Sequence, residues 1–203
     1  MTDFHFYEPA SGHGLPHDPF NAIVAPRPIG WISTLGADGR RNLAPYSFFN
    51  AFNYKPPLIG FASQGRKDSL ANAEASGEFV WNLATRAQAE AMNLSSAVTD
   101  ADEFTLAGLE ALPSRLVAPP RVAGSPVQFE CKVTQIVRLE TKEGRALDQW
   151  LVLGEAVGIH IDTALLEDGI YQTARARPIV RGGGPADYFE IAEDSLFQMR
   201  RPG

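Results

Sequence analysis

Residues 64–69, with the sequence QGRKDS, combine residue types that suit the binding of an anion. Two adjacent cations, a glycine and a hydroxyl lie between a short apolar run and a helical pattern. Backbone N–H groups at the start of a helix and a nearby cation both attract a phosphate. The spacing of a P-loop is absent. The segment therefore predicts either a phosphate site or a solvated surface turn.

A second glycine-containing segment, residues 181–184 with the sequence RGGG, follows a local run of arginines. Three glycines allow a ligand to approach the backbone closely. Arg175, Arg177 and Arg181 form a basic patch that could face an anionic substrate or pair with surface acids. Both interpretations remain open, and Arg181 is the candidate for a substrate-binding role.

His160 stands at the end of a long strand pattern and is followed two residues later by Asp162. Residues two apart lie on the same side of a strand, so Asp162 is predicted to orient His160. An imidazole in that position could donate to a substrate, because its ordinary pKa of about 6.5 allows both protonation states near neutral pH. The alternative is a strand-end histidine exposed to solvent.

The remaining nucleophile and metal candidates are weak. Cys131 lies in an alternating strand pattern and is interpreted as a buried apolar residue. As the only cysteine it allows neither an intramolecular disulfide nor a cysteine-based zinc site. His5, His13 and His17 fit no strict ligand spacing, so no metal site is predicted.

Composition limits the class of protein. The 203 residues carry 18 Lys+Arg and 24 Asp+Glu, a formal net charge of −6, which disfavours nucleic-acid binding by overall charge. No apolar run approaches the roughly 18 residues of a membrane span. The first 12 residues lack the basic and apolar regions of a signal peptide, so the cytoplasm is the expected compartment.

The elements that must position these residues are mostly strands. Residues 1–19 are predicted to be an extended arm that packs on the body or on a partner subunit, and 20–203 a single domain. Strands are predicted at 28–35, 42–49, 58–63, 78–83, 127–140 and 150–161, and helices at 68–76 and 85–94. Asp68 or Ser69 and Thr85 are the expected N-caps, and Gly77 the first stop. Gly154 and Gly158 predict curvature or a bulge. The pattern predicts a mainly β fold, a barrel with peripheral helices.

Several segments in a fixed order carry a family resemblance. They are residues 25–34, Gly39, 42–49, 56–61 and 66–72, followed by 154–162, 177–179, the glycine loop and Tyr188-Phe189. From about residue 20 to 190 the chain resembles the flavin reductase-like family of FMN-binding split-barrel proteins. The resemblance implies FMN as cofactor and a homodimer with the flavin at its interface. The aromatics of the arm, which one small barrel would hardly bury, favour the same assembly.

In the family, strands equivalent to the hairpin line the flavin ring and ribityl chain, and the turn at 66–69 becomes the phosphate site. The cofactor-binding residues that the resemblance implies are Arg27, Trp31, Ser33, Thr34, Asn42, Ala44, Tyr46, Ser47, Ser63, Arg66, Lys67, Asp68, Ser69 and Asn72. His160 and Arg181 are the predicted catalytic auxiliaries on the substrate side.

The implied function is an NAD(P)H-dependent flavin reductase that transfers hydride to the bound flavin, with a flavin-dependent enzyme as a possible partner. No G-x-G-x-x-G motif is present, so the sequence favours neither NADH, NADPH nor another electron donor. The alternatives are an FMN-binding electron carrier without catalytic activity and a structural barrel without a ligand.

Overall fold

The computed structural model describes residues 2–99 and 101–202. Its strands are β1 (Arg27–Pro28), β2 (Gly30–Leu35), β3 (Arg41–Tyr46), β4 (Phe49–Asn53), β5 (Leu58–Gln64), β6 (Glu78–Asn82), β7 (Ala111–Leu112), β8 (Arg121–Val122), β9 (Val127–Glu140), β10 (Ala146–Ile161), β11 (Leu166–Glu167), β12 (Ile170–Tyr171), β13 (Ile179–Arg181) and β14 (Tyr188–Glu190). Its α-helices are α1 (Phe20–Ile23), α2 (Asp68–Ser76), α3 (Ala89–Leu94) and α4 (Glu103–Leu106). Short 3₁₀ helices lie at Pro9–Ser11, Arg86–Gln88, Thr163–Leu165, Ala174–Ala176 and Glu193–Ser195.

The main sheet is antiparallel and contains seven strands in the order β3-β2-β6-β9-β10-β5-β4. The sheet is curled, so that Tyr46 on β3 packs against Phe61 on β5 with the ring centroids 4.7 Å apart. A smaller sheet of β1, β13 and β14 covers one side. The mainly β architecture that the sequence predicts is confirmed.

Strands β9 and β10 form the longest pair of the sheet, and their curvature depends on two glycines. The register between them shifts at Leu153/Gly154 and between Ala156 and Gly158, which confirms the predicted bulges. A Cβ added at Gly154 would lie 2.4 Å from Cε1 of Phe79, so only glycine lets the strand approach that ring. The bulges thereby bend the sheet around its aromatic core.

Two apolar cores fix the helices against the sheet. One core contains Phe61 and Phe79 and receives Leu70 from α2. The other contains Trp31 and receives Met92 from α3 and Phe104 from α4, together with other buried side chains. Packing of this kind leaves little freedom in the position of each helix start.

Some local predictions need correction. The second hairpin strand ends at Tyr46, because the chain bends at residues 47–48 before β4 begins. The predicted helix at 85–94 consists of a 3₁₀ helix and α3, and the Thr85 side chain makes no capping hydrogen bond. Gly77, with φ of +70°, ends α2 as predicted.

The arm does not pack its apolar side chains on the body of this chain. Phe4 and Phe6 are 81% and 82% exposed. Its internal contacts are local, such as the hydrogen bond of 2.7 Å between His5 Nε2 and the carbonyl of His13. Within residues 2–99 and 101–202, no helix has both the length and the apolar character needed to cross a membrane.

Replacement of Gly154 by alanine should lower the free energy of unfolding by about 1–3 kcal/mol, because the new methyl group must displace Phe79. Gly158→Ala in the same strand is the matched control, with an expected cost below about 1 kcal/mol. Its Cβ would lie 3.2 Å from Cδ1 of the half-exposed Leu116 and 3.5 Å from Cβ of Glu130, which is an ordinary contact distance, so only Leu116 must shift. Urea denaturation of both variants measures the difference, and equal losses would contradict this account of the bulge.

Candidate functional site

A large cavity, which we call the main cavity, lies where β3 and β5 approach each other at the start of α2. Its volume is about 720 Å³. The segment that follows α3 closes it on the far side. The cavity is lined by Asn42, Ala44, Pro45, Tyr46, Ser47, Phe48, Ala62, Gln64, Lys67, Asp68, Ser69, Ser95, Ser96, Ala97, Val98, Thr99, Glu103 and Gln149. Of the predicted cofactor residues, Asn42, Ala44, Tyr46, Ser47, Lys67, Asp68 and Ser69 are brought together here.

A buried polar network holds the start of α2 against the hairpin. Asn42 Nδ2 donates to Thr34 Oγ1 at 3.1 Å and to Ser69 Oγ at 2.7 Å. Asn72 Nδ2 also donates to Thr34 Oγ1, at 3.1 Å. Ser69 Oγ thus acts as an acceptor toward Asn42, which leaves its own hydrogen for a different acceptor. Because Ser69 lines the cavity, a ligand oxygen can be that acceptor.

The first turn of α2 has no side-chain cap. The N-cap is Lys67, whose side chain makes no capping hydrogen bond, so the prediction of Asp68 or Ser69 as N-cap is wrong. Ser69 is not the N-cap because it lies within the helix, where its hydroxyl accepts a hydrogen bond from Asn42. N–H groups in the first turn of a helix have no partner within the helix. The helix start therefore offers donors and a partial positive charge to the cavity.

The two adjacent cations differ in their surroundings. Lys67 lines the cavity. Arg66, which precedes α2, forms an ion pair with Glu74 of that helix. Its guanidinium carbon lies 5.8 Å from the ring centroid of Trp150. Arg66 is not among the residues that line the cavity. Lys67 is thus the cation that a ligand at the helix start would meet.

Tyr46 contributes a buried polar atom without a partner. Its Oη makes no hydrogen bond to any described part of the chain. Burial raises the pKa of Tyr46, although the hydroxyls of Ser69 and Ser63 lie near enough to oppose that rise. Neither hydroxyl completes a hydrogen bond with Tyr46 Oη. Since buried polar groups are nearly always satisfied, this phenol is available to a ligand.

Other predicted cofactor residues lie behind the cavity or away from it. The Trp31 ring is completely buried and its Nε1 donates to Ser95 Oγ at 3.0 Å. Ser33 is also buried and donates to the carbonyl of Pro120. Ser63 Oγ donates to the carbonyl of Gly65 at 3.0 Å. These side chains do not line the cavity, because the core and neighbouring polar groups hold them, and their binding of a cofactor stays a prediction.

Arg27 also lies outside the main cavity. Its guanidinium donates to the carbonyls of Asn21 and Val24, and to that of Gly182 at 3.1 Å. It therefore fastens the turn around α1 to the glycine loop. Thr34 and Asn72 act indirectly, through the network with Asn42 and Ser69.

The predicted role of Asp162 toward His160 is wrong. His160 Nε2 lies 2.5 Å from Oε1 of the completely buried Glu130, whereas Asp162 accepts from the backbone of Ala164. The cause is strand pairing: His160 lies opposite Gln128 on β9, so Glu130 is its diagonal neighbour. His160 does not line the main cavity.

Glu130 joins three parts of the chain. Besides His160, it accepts from the backbone N–H groups of Arg115 and Leu116, at 2.9 Å and 2.5 Å. Burial alone would raise the pKa of Glu130, but these donors together hold it below its ordinary value. The interaction is structural, because it ties the loop before β8 to β9 and β10.

Arg181 is likewise occupied by its own loop. Its guanidinium donates to the carbonyls of Gly183 and Asp187 at 3.0 and 2.7 Å, and to those of Gly184 and Pro185 at 2.9 and 3.2 Å. The ring of Tyr188 lies 4.9 Å away. Arg181 therefore orders the glycine loop, and the structure does not bring it to the main cavity.

The described residues include no group of three or more His, Cys, Asp or Glu that could hold a metal ion. Cys131 is fully buried, as its strand pattern indicates, and burial raises the pKa of its thiol. A buried thiol with a raised pKa is a poor nucleophile.

Several cavity residues carry no signal in the sequence. The segment from Ser95 to Thr99 and the carboxyl of Glu103 belong to a stretch without motif or periodicity. Gln149 reaches the cavity from β10, where it pairs with Gln64 of the predicted anion-binding segment at 64–69. Only the curl of the sheet and the packing of α4 bring these groups together.

Comparison of the sequence with known proteins places the chain in a family. Residues 24–179 match the sequence model of the flavin reductase-like domain. The chain is 35% identical over 187 residues to an uncharacterised protein of Halalkalibacterium halodurans, covering 88% of this chain and 87% of that one. It is 34% identical over 170 residues to an uncharacterised protein of Aquifex aeolicus, covering 80% and 83%. The chain belongs to the flavin reductase-like family.

Solved structures agree with this assignment. Nitrilotriacetate monooxygenase component B from Bacillus cereus superposes with a TM-score of 0.87 at 26% identity, covering 98% of this chain and 100% of that one. The 2-nitrobenzoate 2-nitroreductase of Pseudomonas fluorescens superposes with a TM-score of 0.79 at 29% identity, covering 90% and 88%. Similarity to a split-barrel flavin reductase structure from Shewanella frigidimarina, at 21% identity and a TM-score of 0.77, concerns the fold.

Glu130→Gln should lower the free energy of unfolding by about 1–3 kcal/mol near neutral pH, because a charged acceptor of three donors is lost. The lowered pKa of Glu130 means that its stabilisation is present above the carboxyl's unfolded pKa and is lost as the pH falls through the folded value. The difference from the wild type should therefore shrink in acid.

Urea denaturation at a series of pH values tests this expectation. Glu140→Gln, at the exposed end of β9, is the control for the loss of one charge. A difference between the wild type and Glu130→Gln that stays constant from neutral to acid pH would contradict the account.

Proposed function

We propose that the chain is a flavin-dependent oxidoreductase that binds FMN in the cavity between β3, β5 and α2. The observation that carries the proposal is the uncapped start of α2, which presents Lys67 and Ser69 at the cavity wall. Membership of the flavin reductase-like family supports the same ligand class. A phosphate would meet the helix N–H groups, the Ser69 hydroxyl and the Lys67 ammonium.

The properties of the cavity fit this cofactor. Its volume of about 720 Å³ lies within the usual range of small-molecule sites. The orphaned Tyr46 Oη and the free hydrogen of Ser69 are two polar groups that a ligand would satisfy. Residues 44–48 line the cavity and include the apolar side chains of Ala44, Pro45 and Phe48, which suit contact with a flat ring.

Within this proposal the protein residues bind and orient. When bound, FMN supplies the redox chemistry, the uptake and release of electrons. The Asn42 network fixes Ser69, the helix start holds the phosphate, and Trp31 supports the cavity wall through Ser95. NAD(P)H is the proposed electron donor, by hydride transfer to the flavin. The names of the Bacillus cereus and Pseudomonas fluorescens relatives, a monooxygenase component and a nitroreductase, support redox chemistry but specify no donor.

A second candidate function is electron transfer by bound FMN without turnover of NAD(P)H. It is favoured by the positions of His160 and Arg181, which are held by Glu130 and by the glycine loop. Neither residue lines the cavity, so no side chain there is assigned to recognition of a nicotinamide. The two candidates share the flavin site and differ in the electron donor.

We further propose a homodimer in which a second copy covers apolar groups beside the cavity. Phe48 lines the cavity and is half exposed, and Phe52 on the edge strand β4 is equally open. Phe4 and Phe6 of the arm are available to pack on a neighbouring subunit. Exposed aromatic side chains of this kind are typical of interfaces.

The proposed activity predicts a yellow protein. Protein purified or reconstituted with FMN should show the absorption bands of oxidised flavin, and NADH or NADPH should bleach them under anaerobic conditions. Dithionite is the control for reducibility. Flavin bands bleached by dithionite but by neither nicotinamide would favour the electron carrier. A protein that is colourless after incubation with FMN and removal of the free flavin would contradict the flavin site.

Lys67→Ala should weaken FMN binding about ten- to a hundredfold, the value of one charge-assisted hydrogen bond to the phosphate. Riboflavin, which lacks the phosphate, should bind the variant as it binds the wild type. Arg66→Ala is the matched control, because it removes the adjacent cation that pairs with Glu74 and lies away from the cavity. Its effect on FMN should be small.

Quenching of flavin fluorescence measures the affinities of the wild type and both variants for FMN and for riboflavin. Equal losses for FMN and riboflavin in Lys67→Ala would remove Lys67 from the phosphate site. A greater loss of FMN binding in Arg66→Ala than in Lys67→Ala would mean that Arg66, and not Lys67, contacts the phosphate.

A further inference from the structure

Glu103 is a buried carboxyl at the same cavity that the proposed binding of FMN leaves without a role. It is the first residue of α4 and is only 8% exposed. The backbone N–H of Leu43 donates to its Oε2 at 3.2 Å. Within residues 2–99 and 101–202, no cation forms an ion pair with it. The nearby Arg41 forms an ion pair with Asp102, with 2.6 Å between Arg41 Nη2 and Asp102 Oδ2.

Acids outnumber cations on the cavity wall around the start of α2. Asp68 and Glu103 border both the main cavity and an adjoining cleft, and Lys67 is the cation on the main cavity wall. Burial raises the pKa of Glu103, and the charges of Asp68 and Asp102 raise it further. The charged groups that face Glu103 across the cavity and cleft are Lys67, Asp68, Asp102, Arg41, Arg40 and Asp38.

We propose that Glu103 is a specificity-determining residue whose carboxylate, when ionised, disfavours negative charge at the phosphate end of the cavity. The inference rests on the proposed binding of FMN and adds the residue that limits the charge the site accepts. With Glu103 protonated, the phosphate meets Lys67 and the helix start against Asp68 alone. With Glu103 ionised, a second carboxylate opposes the phosphate, and because this carboxylate is buried, water screens the repulsion less than it would at the surface.

Glu103→Gln isolates this effect, because the amide oxygen can still accept from Leu43 while the charge is lost. The variant should bind FMN about three- to tenfold more tightly at pH 8, as expected for removal of one like charge at short range. Its affinity for uncharged riboflavin should stay within about twofold of the wild type. Glu110→Gln, an exposed acid that follows α4, changes the net charge equally and should alter neither affinity.

The pH dependence provides a measurement that needs no variant. Riboflavin 5′-sulfate keeps a single negative charge over the whole range, whereas the phosphate of FMN itself titrates near pH 6. The wild type should bind the sulfate less tightly as the pH rises from about 4.5 to 8, through the raised pKa of Glu103. Glu103→Gln should lose most of that dependence. No histidine among the described cavity residues titrates in the same range.

Stability tests whether the variant folds and whether Glu103 ionises in the folded protein. A raised pKa means that the folded state loses stability as the pH rises from the unfolded to the folded value. Glu103→Gln should therefore have a higher Tm than the wild type at neutral pH and a nearly equal Tm in acid.

Fluorescence titration of the three flavins against wild type, Glu103→Gln and Glu110→Gln decides the matter. Tighter FMN binding by Glu103→Gln alone, with riboflavin unchanged, is the expected result. Unchanged or weaker FMN binding, or a parallel change for riboflavin, would overturn the assignment of Glu103. Failure of the wild type to bind any of the three flavins would instead overturn the proposed function, and this inference with it.

Discussion

The hydrogen bonds of Asn42 are the constraint on which the candidate site depends. One carboxamide uses both of its hydrogens, on Thr34 within the hairpin and on Ser69 in the first turn of α2. Loss of this side chain would leave the buried Ser69 hydroxyl without its donor, which is costly in an interior, while Thr34 would keep only the donor from Asn72. The arrangement also sets the direction of the Ser69 hydrogen. The same interaction therefore joins helix to sheet and prepares the donor for a ligand.

The rest of the fold serves to bring these elements within reach of one another. Glycine bulges in β10 bend the sheet around Phe79, and the bend brings β3 beside β5. The apolar cores then hold α2 from one side and α4 from the other. A cavity bordered by two strands, a helix start and a connecting segment is the result. Its chemistry comes from a few polar groups placed by a largely apolar framework, as is common for cofactor sites.

The sequence predicts features that depend on neighbouring residues, and it does not predict contacts between segments that are distant in the chain. The strand at 127–140, the stop at Gly77 and the helix start after residues 64–67 follow from local patterns, and the structure confirms them. The pairing of His160 with Glu130 depends on the register between β9 and β10, which the sequence of one strand does not determine. The sequence of the glycine loop likewise does not determine the partners of Arg181, and in the structure this side chain binds carbonyls of its own loop.

The cavity likewise combines residues that local motifs indicate with residues that only tertiary packing brings there. Lys67 and Ser69 could be selected from their turn, since cations and hydroxyls at a helix start attract anions. Trp31 and Ser33 could not be excluded, because a strand pattern does not say which neighbours fill the space beside it. Glu103 and the segment from Ser95 to Thr99 carry no local signal, and only tertiary packing places them at the cavity.

The most direct test of the proposed flavin site is a crystal structure of the protein grown with FMN. The account predicts the phosphate at the start of α2, within hydrogen-bond distance of Ser69 Oγ and Lys67 Nζ, and the ring along the backbone of residues 44–48. A flavin bound elsewhere, or a phosphate held by the arginines near the glycine loop while the start of α2 contacts only water, would contradict it.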